Sequence, residues 1–128
     1  MRAVLVGNGF IGKAHRGAYE RLAKEGKDIQ LVAVCDIREE KRAETNGAKA
    51  YAVFDEMLAA EKGNFDYVDI CLPTYLHAEY TVKAMKAGYH VLCEKPMALT
   101  SEETKLMLDT SKETGKKLMI TQCCRFMD

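Results

Sequence analysis

Three glycines stand in the spacing Gly7-x-Gly9-x-x-Gly12, directly after the apolar run AVLV at residues 3–6. Each suits a phosphate. Gly7 permits a tight turn, Gly9 lets backbone approach a pyrophosphate, and Gly12 lets the next helix pack close to the strand it leaves. The helix start would then offer free N–H groups and a partial positive charge. Asp36 ends a second apolar run, 24 residues beyond Gly12, where a carboxylate can accept hydrogen bonds from ribose hydroxyls. A different chemistry sits in Glu94-Lys95-Pro96, which closes the run HVLC at 90–93. Pro96 restricts the backbone of Lys95. A lysine beside a nicotinamide ring and partly buried has its pKa lowered, and can exchange a proton with a hydroxyl as hydride leaves. Glu94 could orient it. The plainer readings are a glycine-rich turn whose acid caps the next helix, and a solvated Glu–Lys pair.

These residues need elements to hold them. Short, near-continuous apolar runs recur at 3–6, 31–35, 50–54, 67–71, 90–93 and 118–124, as expected of strands covered on both faces. Helical periodicity lies between them. Ile11, Ala14, Ala18 and Leu22 mark one face; Ala78, Val82 and Met85 mark another. Gly26, Gly47, Gly63, Gly88 and Gly115 each follow a predicted helix, where a left-handed residue is wanted. Thr100 and Glu103 form a capping box, and Thr74 suits the N-cap of a helix near 75–87. Gly17 falls inside the first helix at a cost of about 0.5–1 kcal/mol relative to Ala; close packing against the sheet would account for it. Six alternations of strand and helix predict an α/β fold, a doubly wound parallel sheet of the Rossmann type in the order 3-2-1-4-5-6. Ligands of such sheets sit at the carboxyl ends of the strands, near the switch in strand order.

The bulk properties narrow the partners. The 128 residues fit one domain, with no repeats or linkers. Nineteen basic residues balance nineteen acidic ones, which argues against nucleic acid or an anionic membrane as bulk partners. No apolar run approaches the roughly 20 residues of a membrane span, and the N-terminal stretch is too short for a signal peptide. A cytoplasmic location is expected. Five cysteines without a C-x-x-C pattern predict reduced, mostly buried thiols. His15, His77 and His90 lack ligand spacing, so no metal site is expected. Asp36 would repel a 2′-phosphate by about 4 kcal/mol per charge pair at 4 Å and an effective dielectric of ~20. That favours NAD over NADP. Arg38 keeps NADP open, since it could swing to the phosphate.

The stretches GNGFIGKAH, CDI, CLPTYLHAEYTVKAMKAGYHVLCEKPMALT and QCCRF together resemble the N-terminal domain of the Gfo/Idh/MocA family of sugar oxidoreductases. The resemblance covers essentially the whole chain, and its E-K-P motif is far more specific than the glycine loop. It implies a Rossmann domain that binds NAD or NADP, followed by a larger substrate domain. It implies that Lys95 contacts substrate and cofactor near the reacting carbon. The residues expected to meet the dinucleotide are Gly7, Asn8, Gly9, Phe10, Ile11 and Gly12 in the loop, with Asp36, Ile37 and Arg38 at the ribose. Leu72, Pro73, Thr74 and His77 follow the fourth strand; Glu94 and Lys95 follow the fifth; Gln122 and Arg125 follow the sixth. Thr74 replaces the asparagine often found after that proline, and His77 matches the family histidine of the same helix.

Family members are far longer, and their other catalytic residues, an Asp and a His, come from the second domain. The expectation is therefore an isolated dinucleotide-binding domain over 1–128, lacking its substrate half. Such a domain binds dinucleotide without turning over sugar, and self-associates through surface that a second domain would cover. The implied parent activity is hydride transfer between the nicotinamide and a sugar or polyol hydroxyl. The competing readings are a redox-neutral, glycosidase-like enzyme holding NAD tightly, and a non-catalytic cofactor-sensing module.

Overall fold

The computed structural model describes residues 1–127. Its six strands are β1 Arg2–Val6, β2 Gln30–Cys35, β3 Lys49–Tyr51, β4 Tyr67–Ile70, β5 His90–Cys93 and β6 Leu118–Ile120. They form one parallel sheet in the order β3-β2-β1-β4-β5-β6. Five α-helices connect them: α1 Phe10–Lys24, α2 Glu39–Arg42, α3 Phe54–Ala60, α4 His77–Lys86 and α5 Ser101–Thr114. No helix among the described residues is long and apolar enough to cross a membrane.

The alternation of side chains along each strand sorts the residues by face. Val4, Val6, Ala33, Cys35, Val68, Ile70, Val91 and Cys93 share a core with Phe54 and Met57 of α3, Ala78 and Met85 of α4, and Met107 of α5. The residues between them face the other way. There β4 carries Asp69, wholly buried, toward Tyr19 and His15 of α1. Register aligns the strand ends: Val6 pairs with Cys35 and with Ile70, and Ile70 pairs with Cys93. The residues that follow these four strands therefore share the sheet's carboxyl edge.

Several local signals hold. Thr100 accepts from the Glu103 N–H, and the Glu103 side chain accepts from the Thr100 N–H, which completes the capping box of α5. Gly115 closes that helix at φ 66°.

Others are corrected. The run at 50–54 yields strand only at Lys49–Tyr51, because Phe54 turns into α3 and plugs the core. The run at 118–124 stops as strand at Ile120 and becomes a 3₁₀ turn at Cys123–Phe126. Cys123 and Cys124 are therefore exposed, whereas Cys35 and Cys93 are buried and Cys71 half-buried; all five are free thiols. Thr74 does not cap α4. A 3₁₀ turn, Thr74–Leu76, intervenes and no side chain caps either segment. The buried residues of α1 are Gly12, Arg16 and Tyr19, not the apolar face Ile11-Ala14-Ala18-Leu22. Hydrogen-bonded amphipathic side chains fill that interface instead of aliphatic ones.

Gly17 also departs from expectation. A Cβ there meets nothing within 4 Å, so packing does not require glycine. Gly17→Ala is expected to stabilise the fold by about 0.5–1 kcal/mol, read as a rise in the urea midpoint at unchanged slope.

Candidate functional site

The glycine loop is constrained by backbone on both sides. A Cβ on Gly7, which sits at φ +91°, would lie 2.5 Å from the Cys71 carbonyl oxygen. A Cβ on Gly12 would lie 1.9 Å from the Gly7 carbonyl oxygen. Strand tip, loop and helix start thus touch main chain to main chain, which only glycine allows. Gly9 differs. Its Cβ would meet only the Arg38 guanidinium, at 3.4 Å. Gly9 is also the N-cap of α1 and offers no side chain to the helix end. Lys13 makes the first bond back into the helix, to the Gly9 carbonyl at 2.9 Å. The N–H groups before it remain available at the positive end of the dipole, with no acidic residue in the first turn.

Beside this loop lies a cavity of about 570 Å³, floored by Gly7 and Gly9 and walled by Asp36, Ile37 and Arg38 on one side and by Cys71, Leu72 and Pro73 on the other. Phe10, Ile11 and Tyr75 also line it. Phe10 is 90% and Ile37 84% exposed, so both present apolar surface at the cavity. Glycine-floored backbone, free N–H groups and a carboxylate on the wall fit a dinucleotide.

Asp36 is 5% exposed and its carboxylate is fully engaged. One oxygen accepts from the Asn8 N–H at 2.8 Å and from the Arg38 guanidinium at 2.8 Å; the other accepts from the Arg38 N–H at 2.9 Å and Nε at 3.0 Å. Burial works to raise this carboxyl, but the Arg38 side chain and the two backbone N–H groups outweigh it and hold it below the usual range. Its oxygens are free for ribose hydroxyls only when the Arg38 head moves aside.

Not every predicted residue reaches the cavity. Asn8 is buried with its side chain turned away, donating to the Lys41 and Glu44 carbonyls at 2.8 and 2.9 Å and accepting from Arg16. It anchors α2, leaving only its backbone in the loop. Thr74 is half-buried in its 3₁₀ turn and is not among the lining residues. His77, expected to meet the dinucleotide, is 1% exposed and is not a lining residue of the cavity. Its ring bridges the Leu72 carbonyl and the Pro96 carbonyl, each at 2.8 Å. It therefore braces the cavity wall against the turn after β5 from behind. Gln122 and Arg125 lie exposed beyond β6, at the sheet's outer edge and away from the cavity.

Glu94 and Lys95 part company. Glu94 is not the solvated residue of the plainer reading, whereas Lys95 is exposed and not partly buried as expected, because Pro96 and the strand end leave it outside the packed layers. Glu94 is half-buried and turned inward, accepting from Thr121 Oγ1 at 2.5 Å and facing His15 Nε2 at 3.1 Å. Its other oxygen accepts the Lys95 backbone N–H at 3.1 Å, so it holds the main chain of Lys95 rather than its amine. Lys95 is exposed at the tip of β5, and its amine has no ion-pair partner among the described residues.

The residue set missed in the sequence is the one behind Glu94. His15 Nδ1 lies 2.9 Å from Asp69, which also accepts from the Tyr19 hydroxyl at 2.8 Å. Tyr67 in turn donates to Tyr19 at 3.0 Å. A signal existed: Asp69 is a charge inside the apolar run YVDIC, and a buried carboxylate demands partners. Cys71 brings its sulfur near the same atoms, but burial pushes the thiol up, and the ring and carboxylate already satisfy one another.

Comparison with known proteins accords with this geometry. The chain is 37% identical to D-glucoside 3-dehydrogenase of Escherichia coli K12 over 123 residues, 92% of this chain and 33% of that protein. It is 40% identical to an NADP(+) scyllo-inositol 2-dehydrogenase of Bacillus subtilis over 101 residues, 76% of this chain and 30% of that one. Among solved structures, the WlbA dehydrogenase of Bordetella pertussis, in complex with NADH and UDP-GlcNAcA, superposes with a TM-score of 0.84 at 36% identity, over 94% of this chain and 36% of its own. The chain spans about a third of the length of these relatives. The model of the oxidoreductase family with an NAD-binding Rossmann fold matches residues 1–122, and the chain accordingly belongs to the Gfo/Idh/MocA family.

Proposed function

We propose that residues 1–128 are the dinucleotide-binding domain of an oxidoreductase that moves hydride between a nicotinamide and the hydroxyl of a sugar or polyol. The observation that carries this reading is the cavity itself. Gly7 and Gly9 floor it, Gly7 where a side chain would collide with backbone, and the engaged Asp36 carboxylate stands on its wall. The nicotinamide, when bound, supplies the hydride acceptor or donor. The chain's own work is binding, orientation and proton movement. Gly9 and the first turn of α1 receive the pyrophosphate, Asp36 the adenosine ribose, and the apolar wall at Leu72 and Pro73 excludes water. Lys95 Nζ, at the β5 tip on the same sheet edge, exchanges the hydroxyl proton. The sugar-like substrates named for the relatives support that substrate class. We assign the substrate pocket to chain outside this domain, as the relatives' greater length suggests. The isolated domain would self-associate through apolar surface that a second domain covers, visible as a mass above the monomer in light scattering.

The test is titration of the chain with NADH. Saturable enhancement of nicotinamide fluorescence is expected, and no change at millimolar cofactor overturns the reading. Lys95→Ala is expected to bind NADH nearly as the wild type does. In an intact oxidoreductase carrying this domain, the same substitution should lower turnover about 10²–10⁴-fold, the usual contribution of a positioned proton-transfer group. Undiminished turnover would remove Lys95 from proton transfer, whereas NADH binding with no turnover by the intact wild-type protein would favour a sensing module.

A further inference from the structure

We propose that His15 is a positioning residue that fixes the turn bearing Lys95, by clamping Glu94 to the buried Asp69. The functional importance of that turn rests on the reading above; the coupling does not. The clamp joins three elements. His15 stands on α1, one turn beyond the glycine loop. Asp69 is wholly buried on β4, and Glu94 is the first residue past β5. The ring Nδ1 meets Asp69 at 2.9 Å and Nε2 meets Glu94 at 3.1 Å. Glu94 passes the constraint on, because its other oxygen holds the Lys95 N–H at 3.1 Å. The helix that presents phosphate-binding N–H groups is thereby tied to the residue proposed to move the proton.

Two carboxylates facing the two nitrogens of one ring call for two N–H donors, and only the imidazolium has both. Every charged or titratable group packed around the ring agrees. From β4 come Asp69 and, beside it, the Cys71 thiol, which burial holds neutral. From the β5 tip comes Glu94. On α1 itself Tyr19 spends its proton on Asp69, backed by Tyr67. Thr121, from beyond β6, is uncharged and donates to Glu94. The Asp69 hydrogen bond raises the His15 pKa above 6.5; burial opposes it, and the charges of Asp69 and Glu94 add to the rise. A group with a raised folded pKa contributes its stability in full below the unfolded value and loses it as pH climbs through the folded one. On deprotonation a single N–H remains. It stays with Asp69, whose carboxylate is wholly buried, rather than with Glu94, which keeps 15% of its side chain in solvent. Glu94 then loses its bond to the ring and keeps Thr121 alone on that oxygen, which loosens the tie to the Lys95 main chain without breaking it.

The experiment follows the imidazole nitrogens of His15 and the backbone amide of Lys95 through a pH titration of the labelled chain by NMR. Three proteins are compared: wild type, Glu94→Gln and His15→Gln. In the wild type both nitrogens should carry protons at pH 6.5, the midpoint should lie above 6.5, and the Lys95 amide should shift with that same midpoint. Glu94→Gln, which keeps an acceptor and leaves the Asp69 pair intact, should lower the midpoint of both signals together. His15→Gln should remove the Lys95 transition. If that variant does not fold, the Glu94→Gln comparison decides. A Lys95 amide that ignores the His15 midpoint, or a ring with unprotonated Nε2 below it, overturns the proposal. NADH titration of the same samples separates the two readings. Failure to bind with a shared midpoint removes the cofactor reading and leaves the clamp, whereas binding without a shared midpoint removes only the clamp.

Discussion

Gly12→Ala is expected to cost the domain about 3 kcal/mol or more, a fall of roughly 10 °C in Tm, and to abolish NADH binding. The new Cβ would stand 1.9 Å from the Gly7 carbonyl oxygen, where ordinary contact begins near 3.4 Å. The obstacle is backbone, and it cannot swing aside. Gly7 is itself held at φ +91° against the Cys71 carbonyl, and its N–H bonds the Cys35 carbonyl at 2.8 Å. Relief therefore requires α1 to lift from the sheet, taking with it the buried contacts of Arg16 and Tyr19. Gly9→Ala is the informative contrast. Its Cβ would meet only the far end of Arg38, at 3.4 Å, so stability should stay within about 0.5 kcal/mol of wild type. The methyl nevertheless occupies the approach to the loop's N–H groups, and NADH affinity should fall about tenfold or more, since each 1.4 kcal/mol of lost contact is tenfold. Thermal melts and fluorescence titration of the two variants separate folding from binding. A Gly9→Ala protein that binds NADH as the wild type does would show that no pyrophosphate approaches there.

The second large effect concerns cofactor choice. Arg38→Ala is expected to shift the NADPH-to-NADH affinity ratio toward NADH by roughly 10–100-fold, the equivalent of the 1.5–3 kcal/mol typical of a charged hydrogen bond. Two terms act in the same direction. On the proposed reading the guanidinium is the cation that a 2′-phosphate beside Asp36 would meet, and its removal would leave Asp36 facing that phosphate unshielded. The same guanidinium now occupies both Asp36 oxygens, so its loss frees the carboxylate for ribose hydroxyls. Parallel titrations with NADH and NADPH measure the ratio; an unchanged ratio would remove Arg38 from the ribose subsite. The substitution has a pH signature too. Asp36 is held below its ordinary value of 3.8. Its contribution to stability is therefore complete above that value and lost as pH falls through the lower folded one. Without Arg38 the folded value rises, so acid unfolding should begin at higher pH.

How far these residues could be read in advance depends on how local their constraints are. The glycine loop was legible because a positive φ and a main-chain contact both demand the same residue, and the demand is met within six positions. Asp36 was legible from its place at a strand end. Asn8 and His77 were placed near the site without their orientation, because a short polar side chain at a loop can face ligand or scaffold. Here unsatisfied carbonyls of α2, Leu72 and Pro96 capture them. The apolar periodicity proposed for α1 failed for a related reason. The sheet face beneath it carries Asp69, so the helix answers with His15 and Tyr19 rather than leucines.

The order of strands and helices, the loop that only glycine can close, and the sheet edge that carries the glycine loop, Asp36 and Lys95 were all determined by the sequence alone, because each follows from short-range sterics and from alternation of apolar runs. Which charges meet was decided only by the tertiary structure. His15 reaches Asp69 across 54 residues and Glu94 across 79. No spacing rule connects positions so distant. They meet because a parallel sheet sets β1, β4 and β5 side by side with their ends in register, and because burial leaves each of those polar groups no solvent to pair with instead.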